Sequence, residues 1–189
     1  MQFSPDGKSL ATSSWDRTVR ILGVETAPFA SKQILPHPRG VVKKVVWSPN
    51  GEILLTIVAR DINVWTKAGL RKGIIKRSHT VKSISWMPDN NEFLSIEDSK
   101  IVKLDLNGNL LDTYPLERIN IQDAAVTTDG RRIIAVGDLT ESPNGLKPKK
   151  GQTEKQIIVF NLERNQIEQC VLLVYHQYFE GLTDQEADV

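Results

Sequence analysis

The sequence predicts an all-β fold of propeller blades, and three observations predict it. Four segments repeat: FSPDGKSLATS from Phe3, WSPNGEILLTI from Trp47, WMPDNNEFLSI from Trp86 and VTTDGRRIIAV from Val126, with starts 44, 39 and 40 residues apart. Each copy joins short alternating apolar runs through a turn signal, and no long run has the period of a helix. Four short strands therefore recur about every 40 residues, a spacing that belongs to blades of a propeller.

Within a copy the elements follow in order. The first strands are VKKVVW (42–47), VKSISW (81–86) and IQDAAV (121–126), each apolar at positions one, four and six. Positions four and six face one side of a strand. The first copy begins inside this strand. Asp6-Gly7, Asn50-Gly51 and Asp129-Gly130 then supply the positive-φ residues of a tight turn, and Asp89-Asn90-Asn91 takes that place in the third copy. A second strand and a short turn carrying Asp lead to third strands at 18–22, 61–65, 100–106 and 156–162. Weaker fourth strands follow at SKQIL, GIIK, NLLDT and the segment from Gln166. The expected blades are 1–35, 36–76, 77–115 and 116–170, with a polar loop at 139–155 inside the last and a divergent acidic tail at 171–189.

Composition narrows the function classes. Of 189 residues 25% are charged and 40% apolar, an ordinary globular balance, and a net charge of +1 gives no argument for nucleic acid as the main partner. The single cysteine, Cys170, cannot form an internal disulfide, and the longest apolar run, CVLLVY, is far too short to span a membrane. A cytoplasmic or nuclear protein with no membrane partner is the expectation.

No catalytic chemistry is legible. Three His and one Cys make no metal-ligand spacing, and neither a phosphate loop nor a dinucleotide fingerprint occurs. Cys170 and His176 read as a buried structural thiol and a surface histidine rather than a catalytic pair. No catalytic, cofactor-binding or metal residue is assigned, no cofactor or small-molecule ligand is expected, and the chain is read as not an enzyme. The basic stretch with Lys67, Arg71, Lys72, Lys76 and Arg77 reads as a charged edge strand that discourages sheet-to-sheet pairing. The alternative is a strip meeting acidic segments or nucleic acid.

With these repeats in place, the chain resembles the WD40 repeat family over 1–170. The Trp15-Asp16 pair is not the dipeptide that names the family. That dipeptide closes the third strand, where this chain has Leu22-Gly23, Trp65-Thr66, Leu104-Asp105 and Phe160-Asn161. The resemblance implies structural roles instead: Asp16, Asp61 and Asp98 in the turn before the third strand, His37 and His79 bonding such an Asp from the preceding loop, and Trp65 ending the third strand of the second blade. It also implies protein partners on the face that carries those turns. Trp15, Arg60 and Glu97, each just before the turn Asp, are the candidate partner-binding residues.

A closer resemblance rests on WSPNGEILL, SHTVKSISWMPDNNEFLS and KLDLNGNLLDTY, which look like the propeller of the WD-repeat subunit of the GID/CTLH E3 ubiquitin ligase. It implies a scaffold that recruits substrates or assembles the ligase for proteasomal degradation. The helical LisH and CTLH modules of that family are absent, and only four copies are present, so a partial propeller, a fragment of a longer protein, is expected, with a closed four-bladed propeller as the alternative. The alternative is a generic WD-repeat adaptor in a chromatin or RNA-associated complex.

Overall fold

The computed structural model describes residues 1–25, 27, 29–97, 100–116, 119–139 and 155–173. These form four four-stranded sheets, each an antiparallel meander in chain order. The first contains β1 (Gln2–Phe3), β2 (Ser9–Ser13), β3 (Thr18–Gly23) and β4 (Ala30–Pro36); the second β5 (Lys44–Trp47), β6 (Ile53–Val58), β7 (Asp61–Thr66) and β8 (Arg71–Lys76). The third contains β9 (Val81–Trp86), β10 (Glu92–Glu97), β11 (Lys100–Asp105) and β12 (Leu110–Pro115); the fourth β13 (Ile119–Val126), β14 (Arg132–Leu139), β15 (Lys155–Asn161) and β16 (Gln166–Leu173). Asp98, residues 140–154 of the expected loop and residues 174–189 of the expected tail, with His176, lie outside the described residues.

The turn that repeats in sequence repeats in geometry. Ser48 donates its hydroxyl to Asn50 Oδ1 at 2.7 Å, the same oxygen accepts the Glu52 N–H at 3.0 Å, and Gly51 sits at φ 72°. Ser4 with Asp6 and Thr127 with Asp129 make the same bonds, and Asn90 takes the left-handed position at φ 65° in the third copy. Local side-chain bonds thus hold each of these turns independently of long-range contacts.

Alternation along the strands then stacks the sheets. In β6, Leu54 packs back among Ala11, Val19 and Leu35 of the first sheet, while Leu55 and Ile57 pack forward with Ile84 and Phe93 of the third. Leu94, Ile96 and Ile101 in turn meet Ile121, Ile133 and Phe160 of the fourth sheet. Each side chain so buried contributes about 1.5–3 kcal/mol of hydrophobic stabilisation. The inner strands β5, β9 and β13 border a cavity of about 700 Å³. Across it Lys44 donates to Ser83 and pairs with Asp123 at 3.2 Å, clipping three blades together.

Among the described residues the two ends of the stack stay open, and each carries exposed apolar side chains. Phe3, Leu10, Leu22 and Ile34 occupy one face of the first sheet, with Phe3 58% and Ile34 56% exposed. On the outer face of the fourth sheet Ile134 is 42% and Val171 40% exposed. Cys170 is exposed, which corrects the expectation of a buried thiol. It lies on the outermost strand of its sheet.

Candidate partner-binding surface and the blade junctions behind it

Three junctions join the four blades, and each has a different polar or apolar centre at the same place. At the first, His37 follows β4 and turns into the interface, 3% exposed. Its Nδ1 lies 3.0 Å from the Leu35 carbonyl oxygen, which can only accept, so Nδ1 carries the proton. Nε2 is then the acceptor, and the Thr56 hydroxyl 2.8 Å away donates to it. Thr56 Oγ1 in turn accepts the Trp65 indole N–H at 3.1 Å. With a neutral imidazole the Thr56 hydroxyl both donates to His37 and accepts from Trp65. Burial holds the His37 pKa below its usual value, and the positive charge of Arg71 acts in the same direction. Arg71 also lies over the Trp65 ring, 5.7 Å from its centre.

This arrangement corrects one expectation. His37 bonds Leu35 and Thr56, not Asp61. The reason is register: Asp61 is the first residue of β7, paired with Val58 and Lys76, and the turn before it is only Ala59-Arg60, with Ala59 at φ 53°. The place that Asp would take at the histidine is filled by the Thr56 hydroxyl from β6.

The second junction uses charge. Arg77 follows β8 as His37 follows β4, and the two backbones are held alike: His37 N–H donates to Arg17 O at 2.8 Å and Arg77 N–H to Arg60 O at 3.0 Å. Arg77 Nε donates to Glu97 Oε1 at 2.6 Å, and Ser95, the counterpart of Thr56, donates to the same oxygen at 3.0 Å. Leu104 replaces Trp65. The residue matching His37 is thus Arg77, and His79, two positions later, is exposed. At the third junction Leu116, Ala135 and Phe160 occupy the corresponding positions and are buried in one apolar cluster.

The three candidate partner-binding residues separate accordingly. Glu97 is 0% exposed and committed to Arg77 and Ser95, so it is a blade-stapling residue, not a surface contact. Its place just before the turn Asp suggested a surface contact, but its charge is neutralised inside the junction. Arg60 is exposed in its turn and donates to Ser78 O at 3.4 Å. Trp15 is 88% exposed, in the four-residue turn between β2 and β3, which is held by Arg17 at φ 65° and by Asp16 accepting from Thr18 at 2.7 and 2.9 Å. A large aromatic held at the tip of a fixed turn offers contact area at little entropic cost. Of the basic stretch, Arg77 is internal and Lys67 pairs with Asp6 and Glu52, while β8 is the outermost strand of its sheet.

Sequence reasoning missed Arg77, Ser95 and Thr56. The signal was available in register: Arg77 directly follows the fourth strand of its copy, as His37 does, and Thr56 and Ser95 hold the same place after the repeated turn.

Comparison with known proteins agrees with this architecture. The WD40 family (WD domain, G-beta repeat) matches residues 1–21. A WD repeat-containing protein WDS homolog of Arabidopsis thaliana is 32% identical over 149 residues, covering 72% of this chain and 28% of the relative. A WD repeat-containing protein 26 homolog of Arabidopsis thaliana is 26% identical over 152 residues, covering 72% of this chain and 24% of the relative. Protein HIR1 of Candida albicans is 27% identical over 124 residues, covering 55% and 13%. The chain therefore spans about a quarter of the length of the two WD-repeat relatives. A Kuenenia stuttgartiensis hydrazine synthase chain superposes with a TM-score of 0.74 at 14% identity, over 90% of this chain and 47% of that one, a likeness of fold alone. Four four-stranded blades, the WD40 repeat matched at residues 1–21 and the WD-repeat relatives make this chain similar to WD40 repeat proteins in fold and in sequence.

Proposed function

We propose that the chain is part of a protein-interaction scaffold, a WD-repeat subunit of a GID/CTLH-type ubiquitin ligase that helps bring substrates to the complex. WD40 repeats generally serve as non-catalytic platforms for protein partners, and a cytoplasmic or nuclear setting goes with this reading. The observation that carries it is Trp15, 88% exposed on a rigid turn while the polar groups behind it are consumed by the blade junctions. The ligase assignment rests on the stretch KLDLNGNLLDTY and on the alignment with the WD repeat-containing protein 26 homolog. A second reading, an adaptor in a chromatin-associated complex, draws on the alignment with HIR1.

The test is affinity purification of the tagged protein, wild type and Trp15→Ala, from its source cells. Recovery of RING-type ligase subunits or their substrates, reduced in the variant, supports the proposal. Recovery of chromatin proteins in their place supports the second reading. Trp15→Ala is expected to change stability by no more than about 0.5 kcal/mol, as for exposed substitutions generally, so a loss of partners reads as contact and not unfolding.

A further inference from the structure

The surface beside the first junction carries three arginines without an acidic partner. Arg17 ends the β2–β3 turn, Arg39 lies in the loop after β4 and Arg71 opens β8; all three are exposed. None makes an ion pair among the described residues. They nevertheless gather around one place. A groove of about 580 Å³ has Arg17 and Arg71 in its walls, and an adjoining one of about 210 Å³ has Arg39 and Arg71. His37, Pro38 and Arg71 are common to both.

The local carboxylates do not cancel this charge. Asp16 is occupied by Thr18 and Arg20. The Thr18 hydroxyl is the main reason that its pKa lies below the usual carboxylate value. Asp61 lines only the smaller groove. Arg71 is held over the Trp65 ring, so one of the three positive groups is positioned before anything binds, and the turn sets the backbone from which Arg17 reaches. Pro36, Pro38 and Trp65 give the larger groove an apolar wall.

We propose that this groove between the first and second blades binds an extended Asp/Glu-rich segment of a protein partner. The inference rests on the scaffold reading above and names the chemistry that the scaffold selects. Three separated guanidinium groups suit single carboxylates spaced along a peptide, and each offers the fork geometry that pairs with a carboxylate. The net charge of +1 gives no separate argument for a nucleic-acid backbone as the occupant.

The experiment is a fluorescence-anisotropy titration of the whole protein against a short labelled peptide in which Glu and Asp alternate with small apolar residues. A Lys-substituted peptide and a single-stranded oligouridylate of equal length serve as comparators. The expected result is selective binding of the acidic peptide, weakened about tenfold by Arg39→Glu and weakened by added salt. Lys76→Glu, on the exposed end of β8 outside both grooves, leaves it unchanged. Equal losses in the two variants would reduce the groove to diffuse electrostatics and overturn the proposal, as would absence of peptide binding. Tighter oligouridylate binding with the same Arg39 dependence would reassign the surface to nucleic acid. Far-UV circular dichroism of Arg39→Glu verifies the fold. The ligase reading is scored separately: peptide binding without ligase subunits in the purification keeps the groove and rejects the ligase, and the reverse result does the opposite.

Discussion

The first and second blade junctions solve one problem with opposite chemistry. Both must fill the space where the outer strand of one blade turns into the inner strand of the next. At the first, a neutral relay runs from Trp65 through Thr56 to His37 and ends on a backbone carbonyl. At the second, the same backbone position holds Arg77, whose charge is met by a fully buried Glu97. The third junction dispenses with polar groups and uses Leu116, Ala135 and Phe160. The repeat thus fixes where a junction residue stands, and its neighbours decide what chemistry it needs. Leu104 cannot donate as Trp65 does, and Glu97 supplies the partner that Arg77 requires.

The sharpest way to break the comparison is Glu97→Ala. It leaves the Arg77 guanidinium buried without its counter-charge, and the expected loss is about 3–5 kcal/mol of unfolding free energy in a denaturant titration. The paired change Arg77→Met with Glu97→Leu should recover most of it, since an apolar pair of similar size is often neutral or better. The third junction is nature's version of that replacement. If Glu97→Ala costs no more than an exposed substitution, the pair is not the centre of the second junction.

Thr56→Val comes next. It removes the hydroxyl that both His37 and Trp65 use, and two buried ring nitrogens lose their partner, so the expected cost is about 2 kcal/mol. Ser95→Ala at the matching place should cost less, about 1 kcal/mol, because Glu97 keeps Arg77.

The smallest effect is a difference in pH response. The folded His37 pKa is depressed, mainly by burial, so the unfolded chain binds the extra proton first. Stability from this group is complete above the ordinary histidine value of 6.5 and is lost as pH falls through the lower folded value. Hydrogen exchange should therefore loosen β4 to β7 before β9 to β11 on moving from neutral to mildly acidic solution. Uniform loosening of both would contradict the assignment of the relay to a neutral histidine.

Much of the blade pattern was legible because it is local. Asn50-Gly51 and its counterparts dictate a hairpin through their own side chains, and alternation in ILLTIV states which residues face which neighbour. His37 was legible as a junction residue, but its partner was not. The choice between Asp61 and Thr56 depends on a two-residue turn that draws Asp61 into β7. Glu97 was misplaced because its position before the turn Asp suggested a partner contact, while the Arg77 that neutralises it is 20 positions away and meets it only across the junction. Strand ends shifted where pairing outlasts side-chain signal: β8 begins at Arg71, before the apolar run GIIK, because its backbone still pairs with β7.

The central claim is that the junctions form a fixed frame and that partners meet the turn surface of the first two blades. The direct measurement is hydrogen-exchange mass spectrometry of the protein alone and with the partner recovered by affinity purification. The account predicts new protection confined to the Trp15–Thr18 turn and the His37–Gly40 loop, with β9 to β11 unchanged. Protection centred instead on the open sheet faces that carry Phe3 and Ile34 or Ile134 and Val171 would contradict it.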